Sequence, residues 1–274
     1  MTELTIRMIG ALAEIGRDAW DRVANPEGAA YDPFLSWDFL DALETSGSAS
    51  PRTGWGPRHL VAEDSEGEIL GALPLYLKGH SQGEYVFDHA WANALERAGG
   101  RYYPKLLTAV PFTPATGRRV LASDPRVRRG LIEAARHAAR ELDVSSWHVL
   151  FPAADEHAEL AEAGLLARRD IQFVFTDEGY GDYAGFLNAL SSRKRKALRK
   201  ERGAAQAGLV IERLTGPDLT DAHWDVFFEC YQDTGARKWG TPYLNRAFFS
   251  LIHERMADHV LLVGPAVDLL GGLR

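Results

Sequence analysis

The sequence predicts an α+β fold of mixed, twisted sheets covered by helices, and three observations carry the prediction. Amphipathic helical periodicity alternates with short apolar runs in the order β-α-α-β-β-β-α-β-α-β through about residue 175. A second series of the same kind opens near Gly179 and reads β-α-β-α-α-β, so the chain divides into units at 1–175 and 176–274. The 274 residues are 46% hydrophobic and 25% charged, which is enough apolar material for one large domain or two small ones.

The elements follow in order. Leu4 to Ile9 reads as a strand, and Ile15, Trp20 and Val23 mark a helix closed near Asn25-Pro26. Pro33, with Phe34, Trp37, Leu40 and Leu43, signals a second helix ending at Gly47. His59 to Ala62, the turn Glu66-Gly67 and Ile69 to Leu77 form an antiparallel hairpin. Residues 79–101 read as a polar loop, Lys105 to Phe112 as a central strand, and a helix starts near Asp124-Pro125. Trp147 to Phe151 is strand-like, Asp155 to Ala163 helical, and Leu165 to Phe175 strand-like again. In the second unit Asp182 to Leu190 is a short helix, and Ser191-Ser192 caps another that runs toward Gly208. Leu209 to Leu214 is a strand, Trp224 to Tyr231 and Tyr243 to Met256 are helical, and Val260 to Val263 is a strand interrupted after Gly264-Pro265.

Composition narrows the function classes. With 31 basic against 38 acidic side chains the formal charge is −7, which argues against a protein that binds nucleic acid over its whole surface but leaves room for a local basic patch. A single cysteine, Cys230, forms no internal disulfide, and the opening residues lack the basic and apolar regions of a signal peptide; a cytoplasmic location is expected. No apolar run is long enough to span a membrane. The histidines show no metal-ligand spacing, so no metal is expected.

Four motifs can carry chemistry. Gly79-His80-Ser81-Gln82-Gly83 fits the nucleophile-elbow pattern of serine hydrolases, with Ser81 as nucleophile, but bulky Glu84-Tyr85-Val86-Phe87 follows where a helix is needed. The same loop concentrates Ser81, Gln82, Glu84, Asp88, His89, Trp91, Arg97, Tyr102, Tyr103 and Lys105, hydrogen-bonding and aromatic groups suited to lining a cleft for a polar substrate. Asp88 and His89 are the candidate acid-base pair. Thr113 to Arg119 joins a strand to a helix, where Arg118 could meet an anion. The run Arg193 to Arg202 places most of its cations off an apolar stripe, whereas Lys194 and Glu201 fall within the stripe, so Lys194 is a further candidate for an anionic group.

Beyond these motifs, Pro33 to Leu40, Gly54 to Leu60, His80 to Asp88, Pro111 to Pro114 with Gly117-Arg118, Ser192 to Lys196, and Asp233-Thr234-Gly235 with Arg237 to Gly240 and Pro242 to Leu244 resemble the Fem-like "peptidoglycan biosynthesis/recognition" branch of the GNAT N-acyltransferase superfamily. The resemblance covers residues 31 to about 263. It implies tandem GNAT-like domains facing a shared cleft, and transfer of an acyl or aminoacyl group from acyl-CoA or aminoacyl-tRNA to an amine, with a small molecule or cell-wall precursor as acceptor and tRNA as a candidate partner. Trp239 and Tyr243, with Tyr102 and Tyr103, are then candidate cleft walls. The ending, Gly264 to Arg274, departs from the family pattern and is read as a truncated second domain with an unpaired sheet edge, a loss that could cost the activity. Two alternatives stand beside transfer: a module that binds peptidoglycan precursor or RNA without turnover, and the serine hydrolase.

Overall fold

The computed structural model describes residues 4–238 and 240–266 and is α+β, with mixed and antiparallel sheets. β1 (Thr5–Ile9) pairs antiparallel with β3 (His59–Glu63), which pairs antiparallel with β4 (Ile69–Leu73). Between β1 and β3 lie α1 (Arg17–Ala24) and α2 (Trp37–Thr45). Ser36 starts α2 by accepting a hydrogen bond from the Phe39 amide, and the fully buried Trp20 ties α1 to the turn just before α2 by donating to the Leu35 carbonyl at 2.9 Å.

One long hairpin is expected here, and the chain instead changes sheets. β2 (Trp55–Pro57), β5 (Tyr76–Lys78), β6 (Lys105–Thr108) and β7 (Trp147–Val149) form a second sheet in the order β2-β5-β6-β7, with β6 and β7 parallel. Pro57 and Pro74 sit at the two crossings, where each lacks the N–H a continuous ladder requires. The junction is closed by side chains: the Leu75 amide donates to Nδ1 of His59, whose Nε2 lies 2.7 Å from Glu44 Oε1.

Three further expectations are corrected. The polar loop contains a helix, α3 (His89–Arg97), in which Ala92 is the one buried residue. Leu165 to Phe175 is not a strand; no described strand pairs with it, and Leu166 and Phe173 are 98% and 96% exposed. Gly264-Pro265 does not interrupt the last strand, because β9 (Leu262–Pro265) includes both residues and pairs antiparallel with β8 (Ile211–Leu214).

The remaining helices close the core. α4 (Pro125–Glu141), capped by Asp124, buries Val127, Leu131, Ile132 and Ala135 with Leu60, Ala62 and Leu73 of the first sheet, and α5 (Ala154–Glu162) adds Leu160. α6 (Tyr183–Ala189) and α7 (Ser192–Gln206) lead to α8 (Asp221–Arg237) and α9 (Arg246–Met256). α9 packs on α2: Arg255 bonds Asp41 at 2.7 Å, Asn245 Nδ2 donates to the Ser46 carbonyl, and Phe39 meets Phe248 edge-on. One apolar core therefore runs from Ile9 and Leu40 to Trp224 and Ile252. The final residues read as a truncation lie largely at 267–274, outside the described residues.

Candidate functional site

The site begins with a strand register. Lys78 at the end of β5 stands directly opposite Lys105 at the start of β6, so two ammonium groups are presented on the same face of the sheet. Like charges facing each other across a ladder repel, and both side chains are fully buried, so carboxylates must neutralise them. The loop between the two strands supplies these. Lys105 Nζ donates at 2.8 Å to each of Glu84 Oε2, Asp88 Oδ2 and Ser81 Oγ. Tyr102 donates its hydroxyl proton to the same Asp88 oxygen, and the Ser81 and Tyr103 hydroxyls lie 2.8 Å apart. Lys78 Nζ lies 3.9 Å from Glu84 Oε1, donates to the Gln82 carbonyl, and sits 3.6 Å from the centroid of the Trp55 ring.

Two lysines and two carboxylates balance in charge, but their environments separate them. Burial lowers the Lys78 ammonium to about 7, with Glu84 offsetting part of the cost and Lys105 adding to it. Burial raises the Glu84 carboxyl, against the pull of Lys105. For Asp88 burial acts upward as well, yet the hydrogen bonds from Lys105, Ser81 and Tyr102 prevail and hold the carboxyl at about 2. Neighbouring His148 is lowered to about 4 by burial and by Lys105, so its imidazole is neutral near pH 7. Glu84 Oε1, Asp88 Oδ1 and Trp55 Nε1 are buried with no hydrogen-bond partner among the described residues. Such atoms are uncommon in a finished core and common where a site has work to do.

Outward from this network the two halves of the chain meet in a line of aromatic rings. Trp55 leans on Phe112, Phe112 stacks on Tyr243 at 5.0 Å between centroids, and Tyr85 meets Tyr243 edge-on at 6.4 Å. Tyr85 and Phe112 both hold left-handed backbone, with φ of 57° and 59°, a conformation that costs a side-chain-bearing residue about 1–3 kcal/mol. Gly83 lets the loop approach: a Cβ there would fall 2.6 Å from the Phe112 ring. Strain at both first-half contacts of one second-half residue marks the seam as a place where the fold accepts a cost.

Of the sequence-predicted residues, Ser81, Glu84, Asp88, Tyr102, Tyr103 and Lys105 come together in the network, and Gln82 joins through its carbonyl while its side chain is exposed. Asp88 and His89 do not form a carboxylate-imidazole pair, since Asp88 points inward to Lys105 and Tyr102 whereas His89 is exposed at the start of α3. Arg118 is not at a helix start. It donates to the Ala24 carbonyl at the end of α1, and α4 begins only at Pro125. Lys194 is exposed on α7, a helix with no buried residue, and is not brought to the network. Tyr243 lies at the seam, and Trp239 falls outside the described residues. Ser81 lacks an elbow: a turn and then coil follow it up to α3, and its hydroxyl is held by the Lys105 ammonium, which has no lone pair with which to take a proton.

Three participants escape the sequence reading. Lys78 passes for the polar end of a strand, although a lysine closing an apolar run just before Gly79 is a usable signal once the opposite strand is known. Trp55 is marked only as part of the family-like segment Gly54 to Leu60, with nothing to assign it a role, and His148 carries no signal in its own segment. Apart from the site, the buried Glu156 accepts from the Arg119 and Val120 amides and pairs with Arg128, fixing the strand-to-helix connection.

A comparison with family models matches the FemAB-like family, described as peptidoglycan biosynthesis/recognition, over residues 11–268. The chain belongs to that family, and membership gives it a peptidoglycan-related role. No curated protein matches it. No described helix is long and apolar enough to cross a membrane, and no group of three or more His, Cys, Asp or Glu among the described residues is arranged to hold a metal ion.

Proposed function

We propose that the protein is an N-acyltransferase of tandem GNAT-like build, divided near residues 175 and 176, that moves an acyl or aminoacyl group onto an amine of a cell-wall precursor at the aromatic seam. The supporting observation is the closed Lys78-Glu84-Lys105-Asp88 network, which braces the loop so that strained Tyr85 and Phe112 meet Tyr243 from the other half of the chain. A rigid rim of this kind is what transfer requires, since the protein's main task is to hold an amine against a carbonyl carbon. The nitrogen bonds to that carbon, the amine proton passes to a base, and the thiol of acyl-CoA or the ribose hydroxyl of aminoacyl-tRNA departs with a proton.

In this reading Asp88 positions Lys105, and exposed His89 and Gln82 are the loop side chains that meet substrate. Lys78 and Glu84, both fully buried, hold the loop in place behind them. Tyr243 walls the acceptor, and Trp239 is proposed beside it from its place in the sequence. Arg118 and Lys194 are secondary candidates for anionic groups. The test supplies a soluble UDP-linked muramyl peptide with acetyl-CoA or with aminoacyl-tRNA and weighs the acceptor by mass spectrometry. A mass gain with either donor, lost in Tyr243→Ala, supports transfer. Binding of the acceptor without any mass gain makes the protein a recognition module instead.

A further inference from the structure

We infer that α7 together with the extended segment before α6 is a docking surface for an anionic phospholipid membrane. The segment from Leu166 to Phe175 crosses the surface without regular structure, held near its start by Arg168, which donates to the Phe87 carbonyl, and by Gln172, which donates to the Pro114 carbonyl. Its apolar side chains are turned to solvent: Ile171 is 81% exposed, Phe173 96% and Val174 74%. A group of large apolar residues left this bare in one segment marks an interaction site.

Continuity with α7 comes through rings. Phe175 meets Phe186 at 5.8 Å, Phe186 meets Tyr183 at 6.1 Å, and the Arg202 guanidinium of α7 lies 4.2 Å from the Tyr183 centroid. Along α7, Arg193, Lys194, Lys196, Arg199 and Lys200 are exposed, and among the described residues none of the helix's cations forms a salt bridge. Elsewhere half of the described arginines are matched to carboxylates, such as Arg126 to Asp124 and Arg237 to Asp233. An acidic protein thus keeps its densest unpaired positive charge next to its barest apolar segment.

That pairing selects the occupant. An anionic bilayer takes aliphatic and aromatic side chains into its headgroup boundary while its surface charge attracts lysine and arginine. Single-stranded RNA would also use cations and rings, but it stacks on flat faces and gains little from Leu166, Ile171 or Val174. The inference does not depend on the transfer chemistry, because the water-soluble acceptor assay above contains no lipid.

The test is co-sedimentation of the full chain with vesicles of phosphatidylcholine alone and of phosphatidylcholine with phosphatidylglycerol. Binding is expected only to the second, weakening as salt rises. Reversing Arg193, Lys196 and Lys200 to Glu lowers partitioning by about a hundredfold or more, since each basic charge lost costs roughly fivefold and each Glu adds repulsion. Phe173→Ser weakens it without altering the salt dependence. All four positions are exposed, so unchanged circular dichroism and melting temperature are expected and serve as folding controls. Three outcomes overturn the proposal: equal or no binding to both vesicles, salt-sensitive binding to polyuridylate without vesicle binding, or a dimer in lipid-free solution that Phe173→Ser dissociates.

Discussion

Replacing Lys105 by Met removes the centre of the buried network while keeping its length and apolar stem. The wild-type ammonium makes three charge-assisted bonds of 2.8 Å, and its two carboxylate partners are fully buried. At about 1.5–3 kcal/mol each, those bonds gross roughly 5–9 kcal/mol. Methionine escapes the several kcal/mol that burying an ammonium costs, so the net loss expected for breaking the buried cluster is about 3–5 kcal/mol. For a chain of this size that is a fall in melting temperature of roughly 6–20 °C. Lys78, 3.9 Å from Glu84, limits the damage on one side, and Tyr102 retains its bond to Asp88 on the other. The pH dependence supplies a second check. In the wild type Asp88 is held at about 2, below its unfolded value, so its stabilisation is intact above roughly pH 4 and is lost as pH falls toward 2. Between pH 7.5 and 5 the wild-type Asp88 term is therefore flat. In Lys105→Met the unpaired carboxylates bind protons more tightly in the folded state, so the variant gains on the wild type as pH falls through this range. Urea unfolding at the two pH values measures both quantities. A loss below about 1 kcal/mol at pH 7.5, or a gap that does not narrow at pH 5, would refute the view that a buried ionised network braces the loop.

Lys78 is lowered to about 7 in the fold against an ordinary lysine value, so the unfolded chain binds more protons across the range between them, and wild-type stability should climb relative to Lys78→Met as pH rises from 7 toward 10. The limit is about 1.4 kcal/mol per pH unit, and parallel unfolding curves for the two proteins would count against a depressed lysine. His148, lowered to about 4, contributes stability that is full above about pH 6.5 and is lost as pH falls through 4; nitrogen NMR should find its imidazole neutral at pH 5.5, and a charged ring there would contradict the burial that lowers it. Asn245→Ala removes the cap of α9 and its bond to the Ser46 carbonyl, with an expected cost of about 1–2 kcal/mol and faster tryptic cleavage between α8 and α9; unchanged cleavage would argue that the aromatic packing alone secures α9 to α2.

The Fem-like family and the α+β class were both readable in the residues. So was the importance of loop 79–105, because ten polar or aromatic candidates between apolar strands are unusual in any context. Six of the ten gather into one network, while Trp91 and Arg97 stay exposed on α3, and the roles of the six were not legible. Asp88 and His89 are neighbours in sequence, but entry into α3 turns one inward and leaves the other in solvent. Arg118 reads as a ligand for an anion until α1 is found ending beneath it with a carbonyl to satisfy. Leu165 to Phe175 has the composition of a strand, and composition cannot supply the edge a strand needs.

What the sequence determined by itself was local: the capped helices α2, α4 and α9, the short strands, and the chemical richness of the loop, all set by neighbours within a few positions. What only the tertiary structure decided was the meeting of Lys78 with Lys105, 27 positions apart, and of Tyr85 and Phe112 with Tyr243. The first depends on strand register, where a slip of one residue would send a lysine to the opposite face, and the second on how α9 seats against α2. Neither is encoded in any short window, because each is the outcome of burying the whole apolar core at once.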